Sequence, residues 1–362
     1  MPTLFDPVEM GAIALPNRIL MAPLTRGRAD RAGVPTPIMA DYYAQRAAAG
    51  LIISKATGIS REGLGWPYAP GLWTDAQVEG WKPVVAAVHH AGGRIVAQLW
   101  HMGRLVHDQV SGMQPVSASA TRAPNLAHTY AGKQDYPQAR ALDRDEIARV
   151  VGDYAAAAGR AIAAGFDGVQ IHGANGYLID QFLRDRTNLR TDDYGGPIDH
   201  RLRLMREVVT AVAGEVGIGR TGIRLSPIGA VQGVDDSDNA ALFTAAAAAL
   251  EDLGVPWMEL REPGPRSTFA KAEEAPASPA MRQVYSGRIV LNSDYVRSSA
   301  EERLAEGVAD AISFGRPFIA NPDLVGRLRD DAALATPEVA TFYSRGSAGY
   351  TDYPAAAEQE AA

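Results

Sequence analysis

Cysteine is absent from the 362-residue chain. That single absence removes disulfides, thiolate nucleophiles, thiolate-bound zinc and iron–sulfur clusters together. Any redox chemistry therefore has to come from a bound organic cofactor or from a metal held by nitrogen and oxygen ligands. A surplus of positive charge is missing too. The 35 Lys and Arg against 42 Asp and Glu leave a net charge of −7, which argues against nucleic acid or an anionic membrane as a partner. No uninterrupted apolar run approaches the ~18 residues that span a bilayer. The opening MPTLFDPVEMG also lacks the basic stretch and apolar run of a secretion signal, so the expectation is a cytoplasmic protein. What is present, 46% hydrophobic and 21% charged residues, is the composition of an ordinary soluble globular protein.

Short β-rich runs alternate with longer helical stretches from end to end. Strands are expected at 19–24 (ILMAPL), 51–56 (LIISKA), 94–99 (RIVAQL), 166–171 (FDGVQI), 222–226 (GIRLS), 257–260 (WMEL), 288–292 (RIVLN) and 310–314 (DAISF). Their mostly continuous apolar character is that of strands buried on both faces. Eight such strands with helices between them predict an α/β fold, a single (β/α)8 TIM barrel. A doubly wound sheet could use the same alternation, but the count of eight favours the barrel. Asp143 with Glu146 forms a capping box, and Gly165 stops the helix that follows. Ser237 or Asp238 caps a second, Ala-rich helix, which Gly254 ends. The barrel is expected over 1–350, with a long excursion at 101–142 after the third strand. A C-terminal tail at 351–362 follows, its last residues Ala/Glu-rich and read as disordered. Gly217, Gly219 and Gly222 spell G-x-G-x-x-G, but here the pattern ends a helix and enters a strand. A dinucleotide site needs the reverse order, so these glycines read as an αβ turn.

In such a barrel the active site lies at the C-terminal ends of the strands. Those ends carry Pro23 and Thr25, Ala56, Gln98 with Trp100, the run His172-Gly-Ala-Asn175-Gly-Tyr177, Arg224, Asn292-Ser293 and Gly315-Arg316. The set is rich in uncharged hydrogen-bonding groups plus two arginines, without the carboxylate cluster of a glycosidase or magnesium site. No metal is expected, since Asn is a poor transition-metal ligand. A planar, polar-edged, phosphate-bearing ligand suits it. Arg316 and the backbone at Gly315 can clamp a phosphate. Gln98 offers a donor and an acceptor to an imide-like edge, and Arg224 can hold negative charge developing on the same ring. Taken singly, each also reads as an ordinary polar group, Arg316 as a surface arginine and His172 as a strand-end core histidine.

The blocks MAPLTRGRA at 21–29, QLWHMGR at 98–104, IHGANGYLIDQFLR at 171–184, NLRTDDYGG at 188–196, FGRPFIANPDL at 314–324 and GYTDYP at 349–354 together resemble the old yellow enzyme family. The chain looks most similar to bacterial 2-cyclohexenone and N-ethylmaleimide reductases, because Thr25 stands where another branch has Cys. The resemblance implies a tightly bound, non-covalent FMN, NADPH or NADH as reductant, and small activated alkenes (enones, maleimides, nitroalkenes) as substrates in ping-pong turnover. It places Thr25 on the flavin O4, and Pro23, Ala56, Gln98 and Arg224 along the isoalloxazine. Arg316, with Gly315, Asn292 and Ser293, falls at the phosphate. His172 and Asn175 would bind the substrate oxygen, so that hydride from flavin N5 reaches the β carbon, and Tyr177 would protonate the α carbon. Trp66, Tyr68, Trp100 and Tyr343 would shape an aromatic pocket. Monomer and homodimer are both left open.

Two positions depart from the family pattern. Lys55 stands where an acidic residue is expected, and strand alternation should turn it away from the flavin. Asn292-Ser293 replaces a Gly-rich pair near the phosphate. Lys55 also carries the rival reading, a Schiff-base lyase on the same barrel, which would leave the HGANGY run without a role. A flavin-binding sensor is a third reading; it would have no use for a proton donor.

Overall fold

The computed structural model describes residues 1–268 and 270–355; the expected disorder at the end of the chain falls on residues 356–362, outside those described. Eight parallel strands form the barrel: β1 Ile19–Met21, β2 Leu51–Ile53, β3 Ile95–Trp100, β4 Gly168–Gly173, β5 Thr221–Leu225, β6 Trp257–Arg261, β7 Arg288–Asn292 and β8 Ala311–Phe314. Each pairs with the next, and β8 returns to β1 through Ile312 opposite Ile19, so the sheet has no free edge. Apart from Arg288 every residue of these strands is buried, as the continuous apolar runs require. All eight expected strands are present, and the ends differ by only a few residues.

A feature not foreseen closes the N-terminal mouth. An antiparallel hairpin, Val8–Met10 with Ile13–Leu15, turns at Gly11 (φ 64°) and plugs the barrel with Val8, Met10, Ile13 and Leu15 against Leu20, Leu51, Val96 and Trp257. The G-x-G-x-x-G glycines serve this end. Gly217 (φ 87°) follows the helix Arg203–Val216, the Gly219 carbonyl accepts from Ala12 N at 2.8 Å, and a Cβ on Gly222 would stand 2.2 Å from the Trp257 ring. They are a turn and a packing contact, not a phosphate loop.

The helices start where their caps say. Asp143 and Glu146 close a reciprocal capping box on Arg144–Ala163, and Asp238 accepts from Ala241 N at the head of Asn239–Asp252; each such cap stabilises its helix by about 1 kcal/mol. The excursion at 101–142 is ordered by its own elements, among them the hairpin Leu126–Thr129 with Gly132–Asp135. Gln181, fully buried, fastens it to the barrel. Its amide donates to the carbonyls of Met102 and Gly176 and accepts from Arg104 N and Ser117 Oγ.

Candidate active site

A cavity of about 430 Å³ opens at the C-terminal ends of the strands, within the range of cofactor sites. Pro23, Thr25, Ala56, Gln98, His172, Asn175, Tyr177, Arg224, Asn292, Ser293, Gly315, Arg316, Trp66 and Tyr343 all line it. Two expected aromatics do not. Trp100 lies behind the wall, its indole 5.0 Å from the Tyr177 ring and 6.5 Å from that of His172. Tyr68 instead packs edge-on to Tyr130, with the Arg345 guanidinium 3.9 Å above its ring.

The HGANGY run is shaped by the end of β4. Gly173 is the last strand residue and packs tightly on β5, since a Cβ there would sit 3.2 Å from the Arg224 carbonyl. The backbone turns sharply at Asn175 (φ 59°) and Gly176 (φ 78°). Asn175 holds that strained backbone because its N–H donates to Ser226 Oγ at 2.8 Å. Asp180, in the first turn of the helix Leu178–Leu183, accepts from Gly176 N and Ser226 Oγ and pairs with buried Arg184 at 2.9 Å.

The local bonds fix which atoms face the cavity. The Ala174 N–H donates to His172 Nδ1 at 3.3 Å, so a neutral imidazole carries its proton on Nε2. Burial, helped by the nearby Arg224 and Arg261 charges, pushes the His172 pKa well below its ordinary value, which keeps the ring neutral. Asn175 Oδ1 accepts from Arg261 Nη1 at 3.0 Å, leaving its NH2 as the group to present to a ligand. Tyr177, whose ring meets that of His172 edge-on at 4.9 Å, has its phenol pushed up by burial above all and stays protonated.

The opposite wall is rich in cationic and amide groups. Four arginines reach the cavity (Arg26, Arg224, Arg261 and Arg316), against one carboxylate, Asp294. Arg224 Nη2 donates to Asn292 Oδ1 at 2.6 Å, while its Nε is buried without a partner; a buried donor of that kind calls for an acceptor. Gln98 Nε2 gives one proton to Gln170 Oε1 at 2.7 Å, which leaves an N–H and Oε1 for an imide-like edge. Asn292 accepts from Arg224 and donates one N–H to the Ser313 carbonyl, and Ser293, Gly315 and Arg316 line the cavity beside it. The donor set therefore fits FMN. Among the described residues no cluster of His, Asp or Glu could hold a metal ion.

Lys55 is not at the cavity. It is fully buried beside Tyr350, its Nζ 3.4 Å from the phenol oxygen, so a Schiff base there would have no route to a substrate in this site. Residues that sequence reasoning missed are Arg261, His128, Tyr136, Phe342 and Gln232, all lining the cavity. His128 comes from the excursion hairpin and packs with Trp66 and Tyr343 at 4.6 and 5.9 Å. Arg261 could have been found by reading β6 one residue further.

Known proteins resemble this chain along nearly its whole length. The model of the NADH:flavin oxidoreductase / NADH oxidase family matches residues 3–334. The solved structure of an old yellow enzyme homologue from Zymomonas mobilis superposes with a TM-score of 0.97 at 57% identity, over 98% of this chain and 99% of that one. Morphinone reductase, solved in complex with tetrahydroNAD, gives a TM-score of 0.92 at 45% identity, covering 98% of each chain. The curated 12-oxophytodienoate reductase 2 of Arabidopsis thaliana is 39% identical over 356 residues, 97% of this chain and 95% of its own. No helix among the described residues is long and apolar enough to cross a membrane. The chain thus belongs to the NADH:flavin oxidoreductase family that includes the old yellow enzymes, and it is an NAD(P)H-dependent FMN oxidoreductase.

Proposed function

We propose that this protein is an ene-reductase that reduces the C=C bond of activated alkenes such as enones, maleimides and nitroalkenes. The observation that carries the reading is the pair of oriented donors. His172 Nδ1 and Asn175 Oδ1 are each engaged by the protein, by Ala174 N and Arg261, so both side chains offer N–H groups to one ligand oxygen. Two donors on a carbonyl, nitro or imide oxygen withdraw electrons from the conjugated alkene and stabilise the negative charge that hydride addition creates. Bound FMN, reduced by NAD(P)H, supplies the hydride.

Tyr177 completes the chemistry. Its raised pKa keeps the proton on the phenol until charge develops on the substrate α carbon, and it then donates as a general acid. Trp66, His128 and Tyr343 form an aromatic rim that shields the site from water and selects flat substrates. Arg316, with Gly315 and Ser293, is the group we assign to the FMN phosphate, and Thr25, Pro23 and Ala56 to the flavin ring.

The test is an anaerobic visible spectrum of the purified holoenzyme, followed by NADPH and then 2-cyclohexenone. Flavin bands that bleach with NADPH and return with the enone support the reading. In Tyr177→Phe the bleaching should persist while recovery with the enone slows about 10²–10⁴-fold. Equal recovery in both proteins would overturn the proton-donor role, and a flavin indifferent to every alkene tried would point to a binding protein instead.

A further inference from the structure

Glu259 on β6 is fully buried and lies behind the cavity wall, where no ligand contact explains it. Both of its oxygens are engaged by donors. Gln170 Nε2 donates to Oε2 at 2.9 Å and Ser313 Oγ donates to Oε1 at 2.6 Å. Arg224 Nη1 stands 3.6 Å from Oε2, and Arg224 and Glu259 are register partners on β5 and β6. Gln170 in turn is the register partner of Gln98 and accepts its amide proton. One carboxylate thus terminates two branches that end on the cavity at Gln98 and Arg224, the two side chains assigned to the flavin's polar edge.

A buried charge is costly unless it is matched, and this one is matched by Gln170, by Ser313 and by the cavity-lining Arg224. The Gln98–Gln170–Glu259 chain has a single direction. A carboxylate can only accept, so Gln170 must turn its NH2 toward Glu259 and its oxygen toward Gln98. That leaves Gln98 with a free carbonyl oxygen and one N–H for the cofactor. Along the other branch the carboxylate holds Arg224 and offsets part of its positive charge. Reduction places negative charge on the flavin ring, and the arginines of this cavity favour that state; a carboxylate at Glu259 opposes it.

We infer that Glu259 is a positioning residue for the cofactor edge: it orients Gln98 and Arg224 and holds the flavin reduction potential down, so that the reduced enzyme remains a strong hydride donor. The inference rests on flavin binding in this cavity and not on which substrate is reduced. A failure of alkene turnover would therefore leave it standing.

The experiment compares midpoint potentials of FMN-loaded wild type, Glu259→Gln and Glu259→Asp by equilibration with a reference dye. Glu259→Gln keeps an acceptor for Gln170 and an atom for Ser313 but removes the charge. Its equilibrium should shift about tenfold toward reduced flavin, ~30 mV for a two-electron couple, with faster bleaching by NADPH and slower reoxidation by the enone. Glu259→Asp should return toward the wild-type potential. An unchanged potential in a fully FMN-loaded Glu259→Gln protein would overturn the inference. Should that variant not fold, Gln170→Met cuts the branch to Gln98 while leaving the charge. A weakened FMN dissociation constant and a shifted flavin absorption band are then expected, and wild-type values for both would overturn the orienting role.

Discussion

Arg261 Nη1 lies 3.0 Å from Asn175 Oδ1, and the two residues are held by different strands of the barrel, β6 and the end of β4. The contact decides which way the amide points. With the oxygen tied to a guanidinium, the NH2 is the end left for the substrate. Burial and the adjacent Arg224 depress the Arg261 pKa to about 10, so the guanidinium remains charged at neutral pH.

Arg261→Ala should therefore weaken oxygen binding without removing either donor. A hydrogen bond to a charged group contributes about 1.5–3 kcal/mol, so the dissociation constant of a phenol ligand, followed by flavin absorbance, should rise at least about tenfold. Arg261→Lys should recover part of it. Unaltered phenol affinity in Arg261→Ala would show that Asn175 orients itself.

The same site predicts a flat pH profile. Burial first, and then the charges of Arg224 and Arg261, hold His172 well below 6.5, while burial raises Tyr177 above 10. Neither group changes charge between about pH 6.5 and 9, so stopped-flow reoxidation of reduced enzyme by an enone should vary little across that window. A break near pH 6.5 would mean that His172 titrates normally. The sign for stability follows from the same shift. Below about 6.5 the unfolded histidine takes up a proton that the folded one refuses. His172 therefore makes the fold less stable as the pH falls.

What was legible in the sequence was whatever is local. The eight strands could be read because burial on both faces makes each a continuous apolar run, and Asp143 with Glu146 sits within one helical turn. His172, Asn175 and Tyr177 could be read because six consecutive residues at the end of β4 carry all three. Glu259 and Arg261 were not, because their meaning lies in partners 89, 54 and 86 residues away, at Gln170, Ser313 and Asn175. Within WMELR they look like the polar end of a strand. The N-terminal hairpin was missed for a related reason: three-residue strands carry no periodicity, and only the open mouth of the barrel gives them a place.

Lys55 should be a liability for stability. It is buried with Tyr350, near Arg26 and Arg28, and burial together with those two charges pushes its pKa well below the ordinary lysine value. Between its folded pKa and about 10.4 the unfolded chain binds one more proton than the native one, so stability should rise with pH over that interval. Lys55→Met should raise the thermal midpoint at pH 7, and the gain should shrink as the pH approaches 10. A Met variant no more stable at pH 7 would show that the amine is better accommodated than its surroundings suggest.

Arg184 tests how the catalytic loop is held. Its Nε donates to Asp180 Oδ1 at 2.9 Å, its Nη1 to Asn239, and its Nη2 to the Ser226 carbonyl, with both members of the ion pair buried. Arg184→Ala leaves Asp180 as an unpaired buried charge, which typically costs about 3–5 kcal/mol. The variant should unfold at a clearly lower temperature, read by release of fluorescent FMN. Replacing the pair together, Asp180→Leu with Arg184→Met, removes the stranded charge and should recover much of that loss. It should not recover substrate binding. Asp180 Oδ2 also accepts from Gly176 N and Ser226 Oγ, and Ser226 Oγ accepts from Asn175 N. Without that carboxylate the turn loses its anchor at Gly176, and the Ser226 hydroxyl that accepts from Asn175 N loses its own acceptor, so phenol affinity should stay low even where thermal stability returns. Recovery of both together would mean that the loop is held by packing alone.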